Sequence, residues 1–108
     1  ALSSMNDIAY ARRSRRFMAL ERARLFAALQ ALNGVVVFPS LANFLLVELP
    51  ASHTAVEVAE RLYVQGILVR DCSATAGLTG RTIRVAVRTR EQNRRLITAL
   101  RRLLGGQQ

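Results

Sequence analysis

The sequence predicts an α+β domain: a small, mostly antiparallel four-stranded sheet with helices on one face, in the order α-β-β-α-β-β-α. Three observations predict it. Apolar residues recur at helical spacing in three segments, near 6–32, 54–65 and 89–104. Four short β-branched or alternating runs lie between and beside them. Of the 108 residues 51% are hydrophobic, enough for one modest core and too many for a chain that stays unfolded.

Residues 6–32 read as one long helix. Met18, Leu25, Leu29 and Leu32 are spaced seven, four and three and make one apolar stripe. Asn33-Gly34 then supplies a left-handed stop. Arg12, Arg13, Arg15 and Arg16 crowd the first half of this helix. Such a run reads as a solvated face, with a nucleic-acid or partner contact as the alternative. Val35–Phe38 is a β-branched run ended by Pro39-Ser40, and Asn43–Leu49 is a longer strand ended by Pro50. In the latter Phe44, Leu46 and Glu48 share one face, and Leu45, Val47 and Leu49 the other.

Residues 54–65 form the second helix. Thr54 with Glu57 is a capping box, and Gly66 is a natural stop. Val56, Ala59, Leu62 and Tyr63 are the candidates for its buried side. His53, just before the cap, reads as surface. Ile67–Arg70 is a strand that follows at once. Thr82–Arg88 alternates cleanly: Ile83, Val85 and Val87 face one way, Thr82, Arg84, Ala86 and Arg88 the other. Thr89 with Gln92 is a second capping box, opening a helix that runs to about Leu104. Its apolar face is Leu96, Ile97, Leu100, Leu103 and Leu104, and its opposite face is Arg94, Arg95, Arg101 and Arg102. Residues 1–34 are thus expected to be a linking helix and 35–108 a small domain. Ala1 stands where a start methionine would, with a helix under way within a few residues, as in a piece of a longer protein or in a processed start.

All sixteen basic residues are arginine, none is lysine, and the net charge is +9. That balance favours an anionic partner. An arginine-rich codon usage gives the same total, so the placement of the arginines carries more weight than their number. The single Cys72 forms no intramolecular disulfide and fits a reducing cytoplasm. One Cys and one His do not make a protein-only zinc site. No apolar run approaches the roughly 20 residues of a membrane span, and the N-terminus has no continuous apolar core of a signal peptide.

If Ile83, Val85 and Val87 face the helices, Arg84 and Arg88 face the open side of the sheet. By the same alternation Val69 points in and Arg70 out. A long-looped hairpin places the end of the third strand beside the start of the fourth, making Arg70 and Arg84 neighbours on that open face. Two adjacent guanidiniums repel unless an anion sits between them, and their planar forks suit carboxylate and phosphate. A small ligand carrying both groups satisfies such a pair. Asp71 is placed to orient Arg70 or balance its charge, and the loop between the strands adds backbone donors. Solvated or ion-paired edge arginines meet the same pattern. Cys72 has no partner His nearby in sequence to activate it as a nucleophile.

The string Gly-Ile-Leu-Val-Arg70-Asp-Cys-Ser, then Gly77-Leu78, then Ile83-Arg84-Val-Ala-Val-Arg88-Thr-Arg-Glu-Gln-Asn93, resembles the C-terminal end of fold-type-I pyridoxal-phosphate enzymes. The closest groups are the threonine-phosphate decarboxylases of cobalamin biosynthesis and the histidinol-phosphate aminotransferases. Upstream, Glu21-Arg-Ala-Arg-Leu-Phe and Ala42-Asn-Phe-Leu-Leu-Val agree, so the resemblance runs from about Arg22 to Leu104. It implies the small C-terminal domain of an aminotransferase class I/II-like enzyme, a dimer when full-length, closing over a cofactor held by a large domain. It implies Arg84 on the substrate α-carboxylate, Arg70 on the substrate phosphate and Arg88 as an auxiliary anion contact. Arg70-Asp-Cys-Ser and the second arginine, Arg88, where aminotransferases usually carry glycine, favour the decarboxylase. Ala74-Thr75 departs from the Asn-Phe that often follows Asp-Cys-Ser there. The cofactor lysine belongs to the large domain. With no lysine in the chain, no internal Schiff base forms on its side chains, and the chain alone is expected to be inactive and to bind no pyridoxal phosphate. The alternatives are the same domain of a histidinol-phosphate-type aminotransferase and, in a different class, a basic nucleic-acid-binding module. Against the latter, the open sheet face offers Phe44 as its only aromatic for stacking bases.

Overall fold

In the computed structural model, which describes residues 5–105, the order of elements is the expected one. Helix α1 spans Met5–Gln30, β1 Val36–Phe38, β2 Phe44–Glu48, α2 Ala55–Val64, β3 Arg70–Asp71, β4 Thr82–Ala86 and α3 Arg90–Gly105. The four strands form one sheet in the order β1-β2-β4-β3, every neighbouring pair antiparallel. Strands β2 and β3 therefore run parallel with β4 inserted between them, and α2 is the crossover. No helix among the described residues is long and apolar enough to cross a membrane.

The core lies between one sheet face and the three helices. Val37, Leu45, Val47, Leu49, Ile83, Val85 and Val87 supply the sheet side of a single buried cluster. Leu25, Leu29 and Leu32 of α1 and the turn after it, with Leu96, Ile97 and Leu100 of α3, supply most of the helix side. The last three turns of α1 thus share their core with the sheet, while Ile8, Phe17 and Leu20 nearer its start stay exposed.

Local chemistry explains where each element stops. The chain turns out of α1 through Gly34, whose φ is +77°, and a Cβ there would also meet Pro50 Cγ at 3.1 Å. At α2, Thr54 Oγ1 accepts the Glu57 N–H at 3.2 Å, while the Glu57 carboxylate turns to Arg61 instead of closing the box. The helix ends in a Schellman pair: Ile67 N–H donates to Leu62 O and Gly66 N–H to Tyr63 O, with Gly66 at φ +80°. Arg95 Nη2 donates to Gln65 O beside the same end. The α3 capping box is complete, Gln92 N–H to Thr89 Oγ1 and Thr89 N–H to Gln92 Oε1.

Four expectations are corrected. The buried side of α2 is Ala55, Val58 and Leu62, not Val56 and Tyr63, which are exposed. Both sets are legitimate helical stripes. The one that starts at Ala55 is buried: the Ala55 N–H reaches Gly80 O at 3.1 Å, tying the first turn of α2 to the loop that leads into β4, and Val58 and Leu62 join the core. Thr82, expected on the open face, is 1% exposed because the loop folds back on it, with Thr79 Oγ1 at 3.1 Å from its hydroxyl. Strand β3 is two residues long, since the Schellman turn carries Ile67 and Leu68 off the ladder. Phe38 shares the open face with Phe44, so that face has two aromatics.

Two polar side chains interrupt the helical stripes and brace the core. Glu21, in line with Met18 and Leu25, is 1% exposed, and its Oε2 takes Arg24 Nη1 at 2.8 Å and Arg90 Nε at 3.7 Å. Asn93 is buried in the first turns of α3. Its Oδ1 accepts the Arg88 N–H and its Nδ2 donates to Arg88 O, both at 3.0 Å, so its amide stands in for a partner strand.

Chemical denaturation checks this assignment of the core. Leu29→Ala is expected to lose about 2–5 kcal/mol, and Tyr63→Ala no more than about 0.5 kcal/mol. Asn93→Ala is expected to lose about 1–3 kcal/mol by stranding the Arg88 peptide groups. A Tyr63→Ala loss as large as that of Leu29→Ala would contradict the α2 face described.

Candidate functional site

Alternation in β4 sends Ile83 and Val85 into the core and Arg84 to the open face, half-buried. The register then sets its neighbours. Arg70 lies directly opposite Arg84 on β3, and Leu46 opposite it on β2. A row of residues therefore crosses all four strands: Phe38, Leu46, Arg84, Arg70. The diagonal neighbour is Phe44, whose ring centre lies 5.0 Å beneath Arg84 Cζ. The aromatic face supports the guanidinium, whose N–H groups meet no acceptor among the described residues.

Like charges directly opposite in a sheet are destabilising, so the arrangement favours an anion between them. The described residues supply none. Asp71 Oδ1 accepts the Ser73 N–H at 2.8 Å, capping the turn that opens the loop, instead of pairing with Arg70 as expected. Among the described residues no acceptor engages the guanidinium of Arg70, Arg84 or Arg88. The contrast with Arg81 is direct. Its Nε donates to Leu49 O at 3.0 Å and its Nη2 lies 3.5 Å from Glu48 Oε2, locking the end of the loop to β2.

Arg88 is not brought into the row. It lies two residues beyond β4, roughly 13 Å along an extended chain from Arg84, at the rim of a cleft of 200 Å³ between residues 66–69 and the start of α3. That cleft exists because β3 is short. Asn93 holds the backbone of Arg88 while its side chain stays exposed. Cys72 lies under the loop, 7% exposed, with its thiol against Arg70 O at 3.8 Å, and is no accessible nucleophile.

The loop itself is a succession of hydrogen-bonded turns. Thr75 N–H donates to Cys72 O, Leu78 N–H to Thr75 O and Thr82 N–H to Thr79 O, while Cys72 N–H donates to Thr82 O and continues the β3–β4 ladder. Asn93 and Glu21 were not singled out by sequence reasoning, and Phe44 was named only as an aromatic for stacking bases, not as the platform for Arg84. The signal for Asn93 and Glu21 was present, a polar residue on an apolar stripe. Phe44 under Arg84 needed the register.

The arrangement can bind and orient a small anion with two charged groups. It contains no lysine and no nucleophile positioned to react. Comparison with known proteins bears on what it serves. The chain is 35% identical over 105 residues to a histidinol-phosphate aminotransferase of Methanothermobacter thermautotrophicus, covering 96% of this chain and 28% of that protein. It is 37% identical over 103 residues to a threonine-phosphate decarboxylase of Salmonella typhimurium, with 95% and 28% covered. Among solved structures, a decarboxylase from Sulfurospirillum multivorans superposes with a TM-score of 0.87 at 34% identity, over 94% of this chain and 29% of that one. The chain thus spans little more than a quarter of the relatives it matches. The family model for aminotransferase class I and II matches residues 1–100, and with the shared fold this shows that the chain belongs to that family.

Proposed function

We propose that this chain is the substrate-gripping small domain of a pyridoxal-phosphate-dependent enzyme acting on a phosphorylated amino acid, a threonine-phosphate decarboxylase in preference to a histidinol-phosphate-type aminotransferase. The observation that carries the reading is the pair Arg70–Arg84, opposite each other on the open sheet face without an acceptor of their own. In it Arg84, planted on Phe44, takes the α-carboxylate and Arg70 takes the phosphate. Arg88 adds a third cation two residues beyond the end of the same strand, and its presence favours the decarboxylase. Relatives of both kinds match at similar identity, which keeps the aminotransferase as the second reading.

The cofactor's aldehyde has no side-chain amine to condense with here. Pyridoxal phosphate supplies the electron sink when bound to the large domain, and the residues of this chain do not fit the task of holding it. Their work is binding and orientation. Two charged ends gripped by guanidiniums on adjacent strands fix the direction of the substrate's long axis, and a planar fork on the carboxylate limits rotation about it. The choice of which bond at the α-carbon is presented for cleavage follows from that grip. Exposed Ile8, Tyr10, Phe17 and Leu20, all before the buried Glu21 of α1, support a linking role, with the large domain covering them in a homodimeric enzyme.

In the full-length protein, Arg84→Ala is expected to change stability by no more than about 0.5 kcal/mol while costing about 2–5 kcal/mol in kcat/KM on threonine phosphate. The lost contact with Phe44 and the relieved repulsion from Arg70 offset each other in the fold. Equal loss of fold and activity would remove the assigned role. Phe44→Leu is expected to raise KM by an amount worth about 0.5–2 kcal/mol, with Phe44→Tyr restoring it. Carbon dioxide release from threonine phosphate, against amino transfer from histidinol phosphate, decides between the two readings.

A further inference from the structure

Most of the arginines that the open face leaves unexplained lie on the helices, in the layer opposite to Arg70 and Arg84. We propose that the groove between α1 and α3 is a second anion site, for a compact polyphosphate, built by Arg24, Arg90, Arg94 and Arg101. The groove is open to solvent along its length and offers 520 Å³, within the range of small-ligand pockets. Its floor is Leu25, Ala28 and Ile97, and the low-dielectric wall they form strengthens the field of the arginines above.

The charge there is not balanced. One buried carboxylate, Glu21, serves both Arg24 and Arg90 through a single oxygen. Arg94 and Arg101 have no acceptor among the described residues. Four guanidiniums against one carboxylate leave a surplus of three positive charges. The spread of the cations sets the size of the ligand. Arg90 and Arg101 are eleven residues apart on one helix, about 16 Å along its axis, and Arg24 faces them from α1. A single phosphate cannot meet all of them, whereas a chain of three phosphates, shorter than that span, is met by long arginine side chains that bend toward it. Convergence from two helices favours a short ligand held in the groove over a polymer lying across it. The same groove is lined by Asn93, which holds the Arg88 backbone, so occupancy and the strand end at Arg88 share a wall.

Isothermal titration of the 108-residue chain with tripolyphosphate, at about 0.15 M salt where exposed charges are largely screened, tests the site. The expected result is a saturable site that survives in Arg70→Gln/Arg84→Gln, the variant that removes the open-face anion pair, and that is weakened at least about tenfold, or 1.4 kcal/mol, by the double variant Arg94→Gln/Arg101→Gln. Absence of saturable binding overturns the proposal, as does a loss confined to the Arg70/Arg84 variant, which would place the ligand on the open face. Tighter binding of a single-stranded oligonucleotide through Arg94 and Arg101 also overturns it, by assigning the groove to a nucleic-acid backbone. Circular dichroism checks that the glutamine variants fold. Perturbation of the Arg94 and Arg101 side-chain N–H resonances in the unaltered chain is the expected result that needs no variant, and unperturbed resonances at saturation overturn the assignment.

Discussion

Strand β4 is apolar on one side and cationic on the other, and both of its neighbours take their register from it. Ile83 and Val85 are fully buried, so a slip of one residue would exchange them with Thr82, Arg84 and Ala86 and bury a guanidinium in the core. That cost fixes the pairing with β2 and β3 at once. The opposition of Arg70 and Arg84 is a by-product of core burial, and it would persist if the open face had no role. The ligand-binding geometry therefore rests on hydrophobic packing on the other side of the same strand.

The short strands are completed by side chains and loops that imitate a ladder. Asn93 presents an amide to Arg88 where no strand is available. Leu49 N–H takes Arg81 O, and the Arg81 side chain returns to Leu49 O, so the end of β2 and the end of the loop close on each other. Ala55 N–H takes Gly80 O, which ties the opening of α2 to the same loop. A buried backbone group left alone would cost about 1–3 kcal/mol, and these contacts are where that cost is met. Two of them, at Gly80 and Arg81, also hold the far end of the loop that separates Arg70 from Arg84.

The arginines divide by what they touch. Arg24, Arg61, Arg81 and Arg90 answer carboxylates, and Arg95 answers the end of α2. Arg70, Arg84 and Arg88 answer nothing within the described residues and occupy the sheet side. A composition count treats all sixteen alike. Arginine suits both tasks because its fork binds carboxylates and its flat face rests on an aromatic ring, as Arg84 does on Phe44.

The sequence by itself determined the order of elements, the helix caps at Thr54 and Thr89, the stops at Gly34 and Gly66, and the sidedness of β2 and β4. Each of these follows from local rules: a side-chain oxygen near free N–H groups, a glycine at positive φ, an alternation of period two. It also allowed Arg70 to be placed beside Arg84, because a hairpin leaves little choice of partner. Tertiary structure decided what depends on non-local neighbours. The stripe of α2 that is buried was open until Gly80 and the sheet chose Ala55, Val58 and Leu62 over Val56 and Tyr63. Thr82 looks polar and outward in an alternating strand, and only the loop folding back on it makes it interior. Glu21 and Asn93 interrupt apolar stripes in the sequence, but their partners lie on other elements, or five residues back across a change of direction in the chain. Alternation and helical period report which way a side chain points, and they carry no information about what arrives to meet it.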